Sequence, residues 1–230
     1  PRGSGVKRYL SQPNRFGWDV KRKLVWLGQH SYLFRHSFLN YAQTCENESL
    51  ISATDDFVCE HSSSWSGLGV TDILADILDI THEQSADLRS WCYRHLAYFK
   101  FVDGKGPLAT VENVISNKEY SVGAPTGDKL FGRGQVILGS LVPWQGEWYW
   151  SGSQYAFEGI SGENLAKMRA DFTRRQPTTA YRYCDDLLQQ AVEGAKTQDR
   201  EFVEYHGNDL VIYPDGISMA ADRQRQLRMR

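Results

Sequence analysis

The sequence lacks the features that most readily assign a chain to a class. No apolar run approaches the ~20 residues that a membrane-spanning helix needs, so no membrane partner is expected. The motifs of P-loop nucleotide binding, of serine hydrolases and of HExxH zinc proteases are absent. No CxxC pair occurs either, and four scattered cysteines indicate reduced thiols in a cytoplasmic or otherwise intracellular protein.

The length of 230 residues suits one large domain or two to three small subdomains, and 41% hydrophobic residues suffice for a sizeable core. Residues 1–4, Pro1-Arg2-Gly3-Ser4, resemble the end of a thrombin-cleavable tag and are excluded from fold reasoning. No initiator methionine or signal peptide follows. The natural part is therefore interpreted as a fragment of a larger intracellular protein, with a full-length protein that lost its methionine as the alternative.

Charge is nearly balanced in sum but uneven along the chain. A net charge of −2 gives no whole-chain attraction to nucleic acid. No Lys or Arg lies between Arg35 and Arg89, a stretch with ten carboxylates, whereas basic residues cluster at 7–23 and 223–230. Basic and acidic segments that neutralise each other within the fold are the favoured interpretation, and a partner-binding asymmetry is the alternative.

Residues 5–103 are predicted to form a mainly helical subdomain. The helical spacing of apolar residues from 18 to 43 predicts two helices that Gly28 separates. Residues 44–69 are polar and weakly patterned, so we expect a loop there. Thr71 is expected to cap a further helix.

The last helix of this layer has the clearest start signal. Thr81 begins a capping box with Gln84, and the apolar stripe that follows includes His95 and Phe99. The helix is expected to end near Asp103, where glycines follow.

Residues 104–160 are predicted to form a small β-barrel. Four or five short β-rich segments separated by Gly, Pro and Asn turns fall within this range. Closure into an SH3-type or OB-type barrel would remove the open edges of such a sheet.

The most distinctive segment of the barrel is Gln135–Phe157, whose 23 residues include three tryptophans and two tyrosines. A two-residue turn at Gln145-Gly146 would pair Trp144 with Glu147, Val142 with Tyr149, and Leu141 with Trp150.

Alternation assigns the hairpin aromatics to two faces. Trp148 and Trp150 share a face that we predict to be core. Trp144 and Tyr149 are the better candidates for stacking on bases or a peptide, and Arg133 is a candidate phosphate contact.

Residues 161–230 are predicted to form a helical pair, a short strand and a basic helix. Ser161 is expected to cap a helix over 162–175, and Pro177 separates it from a second helix over 178–196. A strand at 209–213 and a turn would precede a helix capped by Ser218. The candidate partner-binding residues of this last, Arg-rich helix are Arg223, Arg225 and Arg228.

One short segment resembles a known enzyme family. Arg89-Ser-Trp-Cys-Tyr-Arg-His95 is similar to the R-x4–6-H motif of HEPN ribonucleases, which lies on a helix of an all-α fold. The resemblance implies that Arg89 and His95 handle the phosphate and the 2′-hydroxyl proton, which suits their chemistry. His95 also falls on an apolar stripe, so a buried structural histidine is the favoured interpretation.

Two groups of residues have ligand types suited to metals. Asp72, Asp76 and Asp79 share one helix face, where a solvated outer surface is the favoured interpretation over a hard-cation site. A second group matches no standard zinc spacing, so no metal site is predicted there: Cys45, Cys59, His61 and Cys92.

Together these patterns predict an α+β fold with a helical N-terminal layer, a small SH3/OB-like β-barrel, and C-terminal helices with a short strand. We expect a non-enzymatic binding or scaffolding module for nucleic acid or a protein partner, without a cofactor. A HEPN-like ribonuclease that uses Arg89 and His95 is the alternative hypothesis, and a metal-dependent hydrolase that uses Asp72 and Asp76 is a third. An enzyme requires convergent polar groups in one pocket, which separates these hypotheses.

Overall fold

The computed structural model describes residues 2–45, 49–62, 66–123, 131–182 and 184–228. The chain divides into two compact units, Pro1–Ala180 and Tyr181–Arg230. The fold is α+β, as predicted, because the first unit combines helices with a closed five-stranded barrel. Among the described helices, none combines the length and apolarity needed to cross a membrane.

The helices and strands follow one another in a simple order. Six helices come first: α1 Arg2–Leu10, α2 Gly17–His30, α3 Arg35–Thr44, α4 Leu50–Glu60, α5 Val70–Ile77 and α6 His82–Ser90. A 3₁₀ turn, Trp91–Tyr93, leads to the strands β1 His95–Lys105, β2 Leu108–Asn113, β3 Glu119–Gly123, β4 Val136–Trp144 and β5 Glu147–Phe157. The remaining helices are α7 Gly162–Arg175, α8 Pro177–Arg182, α9 Asp185–His206 and α10 Gly216–Arg228.

The helical layer corrects the prediction at Gly28. Helix α2 continues through Gly28 to His30, and the break before α3 begins at Ser31. A Cβ on Gly28 would lie 2.6 Å from Val58 Cγ1, so glycine permits close packing of α2 on α4. The residue therefore serves a helix–helix contact instead of a turn.

The largest omission in the prediction is α4, which lies where we expected a loop. Ser49 caps this helix, since its Oγ accepts a hydrogen bond from the Ser52 backbone N–H at 3.1 Å. The buried side of the helix includes Phe57 and Val58 but also the polar Asp55. This buried carboxylate interrupts the apolar pattern, which explains why periodicity missed the helix.

The predicted N-cap of α5 is wrong, whereas that of α6 is confirmed. Helix α5 begins at Val70, and the Asp72 carboxylate accepts from the Gly69 N–H at 2.8 Å, so Thr71 is not the cap. The capping box at the start of α6 is confirmed, because the Thr81 and Gln84 side chains each accept from the other residue's backbone N–H.

The predicted helix that continues to Asp103 is wrong, because residues 95–105 form strand β1. The side chains of His95, Ala97, Phe99 and Phe101 are all buried, which is the two-residue period of a strand. A spacing of four, as between His95 and Phe99, fits both a helix and a strand, so those two positions were ambiguous.

The barrel closes in the order β1-β2-β3-β5-β4, with β4 paired to β1. All pairings are antiparallel except β3 with β5. The predicted small SH3/OB-like barrel is confirmed. Its first strand begins at His95, nine positions before the residue 104 that we expected.

The predicted register of the aromatic hairpin is confirmed. Trp144 pairs with Glu147, Val142 with Tyr149, and Leu141 with Trp150. Gln145 and Gly146 both have positive φ, 54° and 80°, as the tightest hairpin turns require.

The first unit has two apolar cores. The interior of the barrel is one of them, and Trp148 and Trp150 pack against it as predicted. The other lies between the helices and the outer side of the hairpin, which contributes Val142, Trp144 and Tyr149.

The C-terminal elements depart from the prediction in three places. Ser161 caps α7 as expected, but Pro177 begins the short α8, and a separate helix, α9, extends to His206. The strand predicted at 209–213 is not formed, since those residues have no regular structure. Asp215 caps α10 in place of Ser218, because its Oδ1 accepts from the Ser218 N–H at 2.7 Å.

Candidate functional site

A buried group of ionic and polar side chains lies where α2, α4 and β5 meet. We call it the charge cluster. Its members are Lys21 of α2, Asp55 and Cys59 of α4, Arg94 directly before β1, and Ser151 of β5. Asp55 is only 3% exposed, so its charge is almost completely removed from water.

Asp55 is the centre of the cluster. Its two carboxylate oxygens form ion pairs with Lys21 and Arg94, one cation on each oxygen. The Ser151 hydroxyl lies 3.0 Å and 2.9 Å from the same two oxygens and donates to them. A buried carboxylate with this many donors is a satisfied group.

The cations have further partners. Lys21 Nζ donates to Ser151 Oγ at 2.8 Å and to Cys59 Sγ at 3.2 Å. Arg94 also pairs with Asp56, at 2.7 Å, and with Glu60. The expected neutralisation of the basic start by the acidic segment is confirmed at Lys21 and Asp55.

The ionisation states follow from these contacts. Burial would raise the pKa of Asp55, but Lys21 and Arg94 outweigh it and hold that pKa below its usual value. Burial would likewise lower the pKa of Lys21, yet the ion pair with the Asp55 carboxylate opposes this effect and the pKa is raised. Burial dominates at Cys59, whose thiol pKa is raised. Asp55 is therefore ionised and Lys21 protonated at neutral pH, while Cys59 remains a thiol.

Local backbone geometry makes room for the cluster. Gly152, directly after Ser151, has a φ of +69°, in the region that favours glycine. A Cβ there would lie 2.8 Å from Asp55 Oδ2. Glycine thus lets strand β5 approach the carboxylate of α4.

The cluster has the chemistry of a structural clamp. A protonated lysine, a fully paired carboxylate and a buried neutral thiol provide neither an activated nucleophile nor an available general base. Removing one member would leave its partners as uncompensated buried charges, which is strongly destabilising. The cluster therefore joins the helical layer to the barrel.

A groove of about 410 Å³ lies beside the charge cluster. Its walls include Leu50 and Ile51 of α4, both 66% exposed, and Trp150 of the barrel. Lys21 and Asp55 line it too, but their charged groups are directed to each other. The groove is thus mainly an apolar surface feature.

Arg89 and His95 do not form the helical pair that the HEPN resemblance implies. Arg89 lies on α6 and pairs with Asp72 and Asp76, at 3.0 Å and 2.5 Å. His95 lies on β1, with its side chain 1% exposed inside the barrel. This burial agrees with the favoured interpretation of a buried histidine.

Aromatic rings and one amide surround the imidazole of His95. Asn113 Nδ2 lies 3.0 Å from His95 Nε2, and Phe99, Tyr120 and Trp148 are its ring neighbours. Such an enclosure gives a polymeric substrate no access to the ring.

The metal hypotheses also find no support in the described part of the chain, where no group of three or more ligand residues comes together. Asp72 and Asp76 are partners of Arg89, so their helix face is ion-paired instead of merely solvated. His61 stacks beside Phe57 and Tyr41.

The expectation that Trp144 and Tyr149 are accessible for stacking is wrong. Trp144 is 0% exposed, and its indole N–H donates to the Asn14 carbonyl at 3.0 Å. Tyr149 packs edge-on against Trp18, and its hydroxyl donates to Glu147 at 2.6 Å. Helix α2 and the segment before it cover both rings.

The predicted arginines are accessible. Arg133 lies exposed in the turn before β4. Arg223, Arg225 and Arg228 lie on α10, and all three are exposed.

The second compact unit presents a different kind of surface. No described residue from Tyr181 to Arg228 is buried. Large aliphatic side chains are instead in solvent, with Leu210 at 73%, Ile212 at 85% and Ile217 at 83% exposure. Met219, at 53%, adjoins them in sequence. We call these four residues the aliphatic patch.

Comparison with protein-family models, with curated proteins and with solved structures finds no significant match to this chain.

Sequence reasoning missed the charge cluster and the aliphatic patch. Asp55 and Lys21 were visible only as members of acidic and basic segments, and no spacing links residues so distant in the chain. The patch had a local signal, since 210–219 contains isolated aliphatic residues among Gly, Pro, Asp and Asn. We interpreted part of this segment, residues 209–213, as a strand and therefore did not recognise its apolar residues as exposed.

Proposed function

We propose that this chain is a non-enzymatic binding or scaffolding module that contacts a protein partner through its C-terminal unit. The observation that carries the proposal is the aliphatic patch in a unit without a buried described residue. Four large apolar side chains exposed within ten residues of sequence suit an interaction site, because water is an unfavourable environment for them.

A protein partner suits this surface better than nucleic acid does. Isoleucine, leucine and methionine gain little from phosphates, whereas they pack well against apolar side chains. The outer face of β2 and β3, with which small barrels of this type bind oligonucleotides, has Glu112 paired with Glu119. The exposed Lys100 of β1 lies opposite Glu112, so these strands offer no excess of positive charge to a phosphate backbone.

The non-enzymatic part of the proposal draws on the described titratable groups. Asp55 and Lys21 neutralise each other, and His95 is enclosed by the barrel. All three are groups whose type and burial would otherwise suggest catalysis.

Site-specific photo-crosslinking in cells tests the proposal. A photoreactive phenylalanine analogue at Ile212 should form a protein adduct, because that side chain is 85% exposed in the patch. The matched control is the same analogue at Tyr32 of the first unit, which is 99% exposed and lies outside the patch. Equal adduct yields at Ile212 and Tyr32 would refute a specific surface.

Nucleic acid is the second candidate partner, on the observation that Arg223, Arg225 and Arg228 are all exposed on one helix. Binding should be of the non-specific kind, with a Kd on the order of 10⁻⁴–10⁻⁶ M and a steep decrease with added salt. Fluorescence anisotropy with single-stranded DNA and RNA measures it. An Arg225→Gln, Arg228→Gln variant should bind more weakly with a shallower salt dependence, and an Arg133→Gln variant tests the barrel arginine in the same way.

A further inference from the structure

A cavity of about 340 Å³ lies within the C-terminal unit, between α9 and α10. We call it the seam cavity. The spacing of its lining residues, four on α9 and three, four and seven on α10, assigns each set to one face of its helix. Close-packed apolar side chains ordinarily fill the seam between two helices. Here polar side chains predominate among the residues that line it: Gln198 and Phe202 of α9, and Met219, Asp222, Arg223 and Gln226 of α10.

The carboxylate of Asp222 is anchored at the wall of the seam cavity. The Tyr213 hydroxyl donates to Asp222 Oδ2 at 2.6 Å, and His206 Nε2 lies 3.1 Å from the same oxygen. Both contacts use one oxygen, so Oδ1 of Asp222 has no partner among the described residues. Asp222 is therefore a fixed hydrogen-bond acceptor that still has capacity for a ligand.

Three further polar side chains of the seam cavity are available. Among the described residues, none is a hydrogen-bond or ion-pair partner of the side chains of Gln198, Arg223 or Gln226. The guanidinium of Arg223 offers donors alone, whereas each glutamine amide offers both donors and an acceptor. Together with Asp222, these groups converge on one cavity with both signs of hydrogen-bonding capacity, which is the usual composition of a small-ligand site.

Two apolar groups complete the lining, one from each helix. Phe202 of α9 contributes an aromatic ring, which lies 4.3 Å from the ring of His206 by their centroids. Met219 of α10 contributes a thioether. Aromatic rings and thioethers both pack favourably on planar ring systems. The seam cavity therefore suits a flat ring whose edge forms hydrogen bonds.

The charges of the cavity select a neutral ligand group. A cation would be repelled by Arg223, and an anion by the neighbouring Asp222. A neutral ring that carries both donors and acceptors on its edge satisfies both residues at once.

We propose that the seam cavity binds a purine base. A purine has an amino donor for Asp222 Oδ1, and its N7 accepts beside an exocyclic group, the pattern that arginine reads in guanine and glutamine in adenine. Pyrimidines lack N7. The ring would stack on Phe202, as bases do on aromatic side chains. This site goes beyond the proposed function and does not depend on it, since Met219 is the one member of the aliphatic patch that lines the cavity.

Isothermal titration calorimetry of the full chain with nucleoside 5′-monophosphates tests the proposal. The adenosine and guanosine forms should bind at least ~10-fold more tightly than the uridine and cytidine forms, which have the same phosphate but no N7. Arg223→Gln and Gln226→Ala should each weaken purine binding about 10-fold. Gln224→Ala is the matched control, because Gln224 is exposed on α10 outside the lining, and it should bind like the unaltered chain.

A purine base reaches such a site either as a free nucleotide or within a single-stranded nucleic acid. Octauridine with one central adenosine is therefore compared with adenosine monophosphate and with plain octauridine. Affinity at least ~10-fold above both identifies nucleic acid as the source, and affinity no higher than that of the mononucleotide identifies the free nucleotide.

Three results would overturn the purine site. They are no binding of either purine nucleotide to the unaltered chain, equal affinity for purine and pyrimidine nucleotides, and equal losses from Gln224→Ala and Gln226→Ala. Circular dichroism of each variant shows that its helices are retained, so that a loss of affinity reports on the cavity.

Discussion

The two compact units of this chain place their large apolar side chains in opposite environments. Pro1–Ala180 buries them in two clusters, one inside the barrel and one beneath the helices. In Tyr181–Arg230 no described residue is buried, and Ile212 and Ile217 are more than four-fifths exposed. The first unit holds its own stabilising core, whereas the second has apolar surface that suits an association.

This difference predicts opposite responses to substitution. Changes in the first unit should reduce the free energy of unfolding and alter binding only through stability. Changes on the surface of the second should alter association with little effect on folding. Four predictions test this contrast, in order of decreasing effect.

Trp144→Ala should have the largest effect, lowering the free energy of unfolding by about 3–5 kcal/mol. The ring is fully buried between the hairpin and α2, and its hydrogen bond to Asn14 would also be lost. Urea unfolding followed by circular dichroism measures the change. Tyr155→Ala, on the same hairpin but 53% exposed, is the control and should cost far less. Equal effects would mean that the hairpin contributes no core.

Asp55→Asn should lower the free energy of unfolding by roughly 3 kcal/mol, because it leaves Lys21 as an uncompensated buried cation. Arg94 would keep Asp56 and Glu60 as partners, which limits the loss. Asp56→Asn is the matched control, since that side chain is 31% exposed and its loss should cost under ~1 kcal/mol. A larger loss of unfolding free energy from Asp56→Asn than from Asp55→Asn would contradict the structural role of the charge cluster.

Lowering the pH should reduce the stabilisation by the charge cluster over a defined pH range. The pKa of Asp55 in the folded protein lies below its unfolded value of about 3.9, so its stabilisation is present above ~pH 4. That stabilisation is lost as the pH falls through the lowered folded pKa. The difference in unfolding free energy between the unaltered chain and Asp55→Asn should therefore shrink below ~pH 4. A constant difference down to the acid transition would contradict this assignment.

Ile212→Gln should have the smallest effect on folding, within about ±0.5 kcal/mol, because the side chain is already 85% exposed. The same change at Ile137, which is 0% exposed inside the barrel, is the matched comparison and should be strongly destabilising. Thermal unfolding of both variants measures the contrast. A large loss from Ile212→Gln would show that residue 212 belongs to a core.

Short-range patterns predicted the elements whose cause is local. The Thr81 capping box, the cap at Ser161 and the register of the hairpin around Gly146 are confirmed because each depends on residues within a few positions. Alternation assigned Trp148 and Trp150 to the barrel interior for the same reason. The prediction of a helix was wrong for the segment after Trp91, because a four-residue spacing of apolar residues agrees with both a helix and a strand.

The sequence alone determined the α+β class, the small barrel and its aromatic hairpin, since period and turn chemistry act over short distances. Only the tertiary structure decided which polar groups meet and which faces are covered. It joined Lys21 to Asp55 and Arg94, covered Trp144 and Tyr149 with helix α2, enclosed His95 in the barrel, and left Ile212 in solvent. These outcomes depend on contacts between distant segments, and the free energy of burying a side chain is set by its neighbours in space.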